Sequence, residues 1–177
     1  MWTKLYWTEG PWTGKLALAA RPRGGDWLPD EVAGWREAGV ATVLSLLTPD
    51  EENDLDLKRE AGEVKRHGMR FLSLPIPDRQ IPPSESDVAA VVEKLDTDLS
   101  SGKNVVIHCR QGIGRSGLVA ACLLITKGLS SGAAVDTVSA ARGLPIPETS
   151  DQRRWIDHYA ATLTGAKRLP LHCKPYN

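Results

Sequence analysis

One stretch, VVIHCRQGIGRSGLVAACLLI over residues 105–125, constrains the fold of this chain more than any other. A β-branched run enters a loop with glycine at 112, 114 and 117, and the chain leaves it as an uninterrupted apolar segment. A strand and a helix both apolar throughout fit only where a sheet is covered on its faces. Two chemistries suit the loop between them. Gly112-Ile113-Gly114-Arg115-Ser116-Gly117 matches the dinucleotide-binding pattern G-x-G-x-x-G letter for letter. Cys109, ending the strand six positions before Arg115, suits instead a loop that attacks a bound phosphate.

The rest of the chain arbitrates. A dinucleotide fold needs a further strand after the helix, with an acid near its end to bind ribose. Asp136 lies 19 residues past Gly117, but within the Ala-rich helical segment SGAAVDTVSAARG. The motif also comes late, whereas that fold carries it in its first strand–helix unit. The phosphate reading uses every residue. Backbone N–H groups in a tight loop at a helix start make a concave anion site. Gly112 and Gly114 permit the backbone conformations that aim them inward. Arg115 adds a planar fork for two phosphate oxygens. A positive field of this kind favours thiolate over thiol in a cysteine at the loop's base, placed to attack phosphorus.

The flanking chain reads as alternating strands and helices. Strands are expected at 15–22, 40–47, 69–77 and 103–109. Helices are expected at 28–39, at 48–68 (one or two), from 84 with Val88, Val91, Val92, Leu95 and Leu99 on one face, at 118–125, at 130–143 and at 148–163. The pattern predicts a single α/β domain over 1–177, with a mostly parallel central sheet of about five strands flanked by helices. A Trp-rich arm, 1–14, precedes it and a loosely held tail, 165–177, follows. Trp2, Trp7 and Trp12 either line a site or pack on the sheet.

The 22 basic and 22 acidic residues cancel, so total charge points to neither nucleic acid nor an anionic membrane. No apolar run long enough to span a bilayer occurs. Three irregularly spaced cysteines make no disulfide framework, and the first residues lack the pattern of a secretion signal. A soluble, cytoplasmic protein is expected, with a monomer favoured. No cluster has metal-ligand spacing: His108-Cys109 is a pair of neighbours and His172-Cys173 lies in the tail, so neither metal nor cofactor is expected.

HCRQGIGRSG resembles the signature of the cysteine-dependent protein tyrosine and dual-specificity phosphatases: His-Cys, five residues, Arg-Ser. The order of elements from 15 to 163 is similar to the compact, cyclin-dependent kinase inhibitor 3-like type and its bacterial relatives. The resemblance implies that Cys109 is the nucleophile and Arg115 the phosphate clamp, with backbone amides of Arg110, Gln111, Gly112, Ile113, Gly114 and Arg115 on the remaining oxygens. It implies that His108 orients the loop and helps the thiolate form, and that Ser116 assists the thiolate as a leaving group. Cys122, on the apolar helix, is expected to pack only. In that family the proton donor is an aspartate on a mobile loop upstream. Asp78, in PIPDRQIP and 31 residues before Cys109, takes this place; it reads equally as a turn residue between prolines. In IPETSDQRRW, Gln152 corresponds to a water-positioning glutamine, while Thr149-x-x-Gln152 is also a capping box.

The implied activity is phosphomonoester hydrolysis on a phosphoprotein or phosphopeptide through a cysteinyl-phosphate, with phosphotyrosine favoured and phosphoserine or phosphothreonine also open. The tyrosine-recognition loop of the classical enzymes is missing, and so are the paired lysines of the phosphoinositide-cleaving relatives. Arg79 and Arg110 could still read a second phosphate, which keeps an inositol phosphate or phosphoinositide open as substrate. A phosphopeptide-binding pseudophosphatase and a sulfurtransferase are the readings from other classes.

Overall fold

The structure, a computed structural model, describes residues 2–168. In chain order it runs β1 (Tyr6–Thr8), β2 (Leu16–Ala20), a 3-10 turn (Gly25–Trp27), α1 (Leu28–Glu37), β3 (Val40–Ser45), α2 (Pro49–Asp54), α3 (Glu60–Arg66), β4 (Arg70–Ser73), α4 (Glu85–Ser100), β5 (Asn104–Cys109), α5 (Gly114–Thr126), α6 (Ser131–Arg142) and α7 (Ser150–Arg168). The five strands form one sheet in the order β1-β2-β5-β3-β4. Only the β1–β2 pairing is antiparallel.

The two-residue period of the strands divides the core. Leu16, Leu18, Leu44, Val105, Ile107 and Cys109 face one cluster, built with α4, α5, α6 and α7. Ala17, Ala19, Val43 and Val106 face the other, with Val32 and Trp35 of α1 and Val64 of α3. Strand β5 is central and covered on both faces, which is why it reads as a continuous apolar run. Each fully buried Val, Leu or Ile contributes roughly 1.5–3 kcal/mol, so these layers carry most of the stability. Helix α5 has every residue from Gly114 to Ile125 buried, explaining its lack of a polar face.

Several expected elements differ at their ends. The strands stop at Ala20, Ser45 and Ser73, short of 22, 47 and 77. Their last residues form loops at the C-terminal edge of the parallel sheet, where Leu74 and Ile76 donate backbone N–H groups to Ser45 and Leu46 (3.0 and 3.1 Å). The apolar helix begins at Gly114 rather than 118, because Gly114 to Gly117 form its first turn. The arm also contributes a strand not anticipated, β1, which extends the sheet edge. Trp12 donates to Asp96 at 2.6 Å and Trp2 lies over Gly34, so the arm packs on the fold. Among the described residues no helix is long and apolar enough to cross a membrane. The tail expected from 165 begins inside α7, which runs to Arg168; the rest of it, with His172-Cys173, lies outside the described residues.

Candidate active site

Parallel strands bring their C-terminal ends to one edge, and the connections leaving that edge build the site. The β5–α5 loop supplies Cys109 to Arg115, the segment after β3 supplies Glu51, the segment after β4 supplies Asp78, and the turn before α7 supplies Glu148. Together Asp78, Arg79, Cys109, Gln111, Gly114, Arg115 and Glu148 line a cavity of about 110 Å³. Trp2, Trp7 and Trp12 are not among its lining residues.

The loop is held from outside by its carbonyls. Arg142, at the end of α6, donates from Nε to the Gly112 carbonyl at 2.8 Å and from Nη2 to the Gln111 carbonyl at 3.1 Å. The Arg21 amide donates to the Arg110 carbonyl at 3.4 Å. In a trans peptide the next N–H points opposite to the carbonyl. Turning these carbonyls outward therefore turns the N–H groups of Gln111, Gly112 and Ile113 toward the inside of the loop. Tyr6 stacks on the Arg142 guanidinium, 4.0 Å from ring centre to carbon, which ties β1 to the same brace. Gly112 is required here twice over. Its φ is +68°, and a Cβ would sit 2.4 Å from the Ala19 carbonyl oxygen.

Cys109 is 3% exposed, and its Sγ lies 3.5 Å from the Ser116 hydroxyl on the first turn of α5. Arg115, 1% exposed, is fixed as a fork. Its Nη1 and Nη2 bind the two Glu51 oxygens at 2.7 and 2.9 Å, Nη1 also donates to the Ile76 carbonyl at 2.8 Å, and Nη2 to Asp78 Oδ1 at 2.8 Å. Burial opposes charge on Arg115, but the Glu51 hydrogen bonds and the negative charge of Cys109, Glu51 and Asp78 outweigh it and raise its pKa. Glu51 mirrors this: burial works to raise its carboxyl, while Arg115, the Thr48 amide and Arg110 hold it below the usual value. Glu51 is pre-set by a capping box, its side chain accepting from the Thr48 amide at 3.1 Å while its own amide donates to Thr48 Oγ1 at 3.3 Å.

His108 and Gln152 make their hydrogen bonds to groups other than the thiol. The His108 ring does not face the thiol. Alternation along β5 sends it through the sheet, where Nε2 meets Glu60 Oε1 at 2.7 Å and the ring packs against Trp35. Any influence on Cys109 passes through the backbone. Gln152 is fully buried and held by backbone. Its Oε1 accepts from the Glu148 and Thr149 amides, both at 3.2 Å, and its Nε2 donates to the Gln80 carbonyl at 3.1 Å. The capping box forms, Glu148 lines the cavity, and the Gln152 amide lies against Gly114 of the loop, its Oε1 2.9 Å from the place a Cβ there would occupy. Glu51, Arg142 and Glu148 were absent from the sequence reading. Of these only Glu51 had a local signal, the Thr48-x-x-Glu51 cap.

Comparison with known proteins agrees with the geometry. Residues 18–129 match the family model described as polymorphic toxin system, DSP-PTPase phosphatase. Cyclin-dependent kinase inhibitor 3 of Rattus norvegicus is 35% identical over 135 residues, covering 70% of this chain and 59% of the relative. The chain thus spans about three-fifths of that relative's length. Among solved structures, kinase associated phosphatase with its catalytic-site cysteine replaced by serine superposes with a TM-score of 0.85, at 22% identity, over 93% of this chain and 97% of that one. Tk-PTP in the active form gives 0.69 at 28% identity, over 84% and 92%.

Proposed function

The chain belongs to the cysteine-dependent dual-specificity phosphatases, and from that premise we propose that it hydrolyses phosphate monoesters on phosphoproteins, phosphotyrosine favoured, through a cysteinyl-phosphate. The observation that carries the reading is the constellation over Cys109: a buried sulfur beneath inward N–H groups, a clamped Arg115 fork and a carboxyl group at the rim.

Phosphate enters with its oxygens on the loop N–H groups and Arg115, and displaces Asp78 from Arg115 Nη2. The Cys109 thiolate attacks phosphorus in line, forming the P–S bond as the ester P–O bond breaks. Asp78, released from Arg115, takes up a proton from solvent and passes it to the departing oxygen. Water then attacks phosphorus, the P–S bond breaks, and Asp78 takes the water's proton. Ser116 Oγ donates to the departing sulfur. Glu51 keeps the fork planar to the phosphate through both steps, and Gln152 secures the turn that carries Glu148. Similarity to a protein named a kinase inhibitor supports a phosphoprotein as partner.

Phosphate release from tyrosine, serine and threonine phosphopeptides tests the reading. Turnover that survives a chelator and is inhibited competitively by vanadate is expected. A chain that binds phosphopeptide without turnover is a pseudophosphatase; one that moves sulfur from thiosulfate but cleaves no ester is a sulfurtransferase.

A further inference from the structure

A phosphate pocket can be cationic throughout, or it can carry one clamp cation with the surrounding charge cancelled. The two designs select different substrates. Around Cys109 the guanidinium groups are matched by carboxylates. Arg115 is held by Glu51 and Asp78, and Arg110 Nε lies 3.4 Å from Glu51 Oε1. At the mouth, Arg79 Nη1 lies 2.5 Å from Glu148 Oε1. Asp78 and Arg79 both reach the cavity because Arg79 adopts a left-handed backbone, φ +60°, which breaks the alternation of an extended chain.

Glu148 is the carboxylate that the mechanism leaves unused. It does not bind Arg115, and Gln152 rather than Glu148 closes the cap of α7. It nevertheless lines the cavity, with its Oε2 3.0 Å from the place a Cβ on Gly114 would occupy. Resting on the phosphatase reading above, we propose that Glu148 is a specificity-determining residue. By cancelling Arg79 and facing the cavity with its own charge, it confines the enzyme to singly phosphorylated peptides and rejects polyphosphorylated ligands such as inositol polyphosphates. The transferred phosphate still finds Arg115 and the start of α5. A second phosphate at the mouth meets a pair with no net charge, and its nearer approach to the cavity meets a carboxylate. Removing that carboxylate acts twice in the same direction, because it deletes a repulsion and frees a cation.

The test measures kcat/KM on a singly phosphorylated tyrosine peptide and on an inositol trisphosphate, for wild type, Glu148→Gln, Arg79→Ala and the double variant. The expected result is a trisphosphate-to-peptide ratio that rises on the order of tenfold in Glu148→Gln, a gain reversed in the double variant. Both substrates are read on the same preparation, so partial misfolding cancels from the ratio. Should Glu148→Gln turn over too slowly, the same ratio is read as dissociation constants on the Cys109→Ser background. An unchanged or lower ratio on an enzyme that still cleaves the peptide overturns the role of Glu148 and leaves the phosphatase reading standing. A wild type that prefers the trisphosphate also overturns it. A wild type that cleaves neither substrate brings down the reading beneath, and this inference with it.

Discussion

Cys109 and Cys122 are both buried in the same core cluster, at 3% and 0% exposure, yet their surroundings differ in kind. Cys122 lies in the middle of α5, where burial, with the charge of Glu85 added, pushes its thiol far above the ordinary range. Its neighbours offer nothing to a negative charge, and it packs as a small apolar side chain. Cys109 lies five residues before α5 begins, under a hydroxyl and beside a guanidinium. Burial alone makes a thiol inert. Burial beneath donors already aimed at one point makes an anion site.

The contrast is broken most severely by exchanging the two residues' fates. Cys109→Ser is expected to cost more than ~10³-fold in kcat while retaining phosphopeptide binding, since a hydroxyl there stays protonated. Cys122→Ala is expected to leave kcat within about twofold and to lower only the melting temperature. Equal losses in both would dissolve the distinction. Arg115→Lys follows in size, at roughly 10²-fold or more, because an ammonium cannot hold Glu51 and two phosphate oxygens in one plane.

Asp78→Asn sharpens the comparison by testing the group on the other side of phosphorus. Phosphotyrosine and phosphoserine peptides are expected to slow by ~10²-fold, and activated aryl phosphates by much less, because their oxygen leaves without a proton. The basic limb of the pH–rate profile should disappear in the variant. Equal slowing of both substrate types with that limb intact would make Asp78 a turn residue only.

Much of this was readable in the sequence because it is local. Cys109, Arg115 and Ser116 share one strand–loop–helix, and Asp78 follows a strand that the hydrophobic pattern exposes. What was hidden comes from contacts between distant segments. Glu51 meets Arg115 across 64 positions, and Arg142 meets Gly112 across 30. A capping box announces where a helix starts but says nothing of what else its glutamate binds. The orientation of His108 is the instructive case. The two-residue period of a strand already places its ring on the opposite face from Cys109, while its partner Glu60, 48 positions away, leaves no local signal.

The smallest expected effect concerns acid. Burial opposes the Glu51 charge, but Arg115, Thr48 and Arg110 hold its folded pKa below the usual value. Asp98 behaves likewise: burial opposes its charge, and Thr42, Lys103 and Arg70 prevail. Groups depressed in the folded state stabilise it fully above the unfolded pKa, and that contribution is lost as pH falls through the folded one. The melting temperature is therefore expected to drop below about pH 4. Glu51→Gln should flatten that drop while lowering the value at neutral pH. A slope unchanged in the variant would remove Glu51 from the acid response.

The central claim is that phosphate passes through the sulfur of Cys109. Rapid acid quenching of wild type during turnover of a phosphotyrosine peptide, followed by peptide mass spectrometry, tests it directly. The account predicts one added phosphoryl group on the peptide carrying Cys109, with accumulation in Asp78→Asn if that residue also limits the hydrolytic step. Turnover with Cys109 unmodified at every quench time, or a phosphoryl group on another residue, would contradict it.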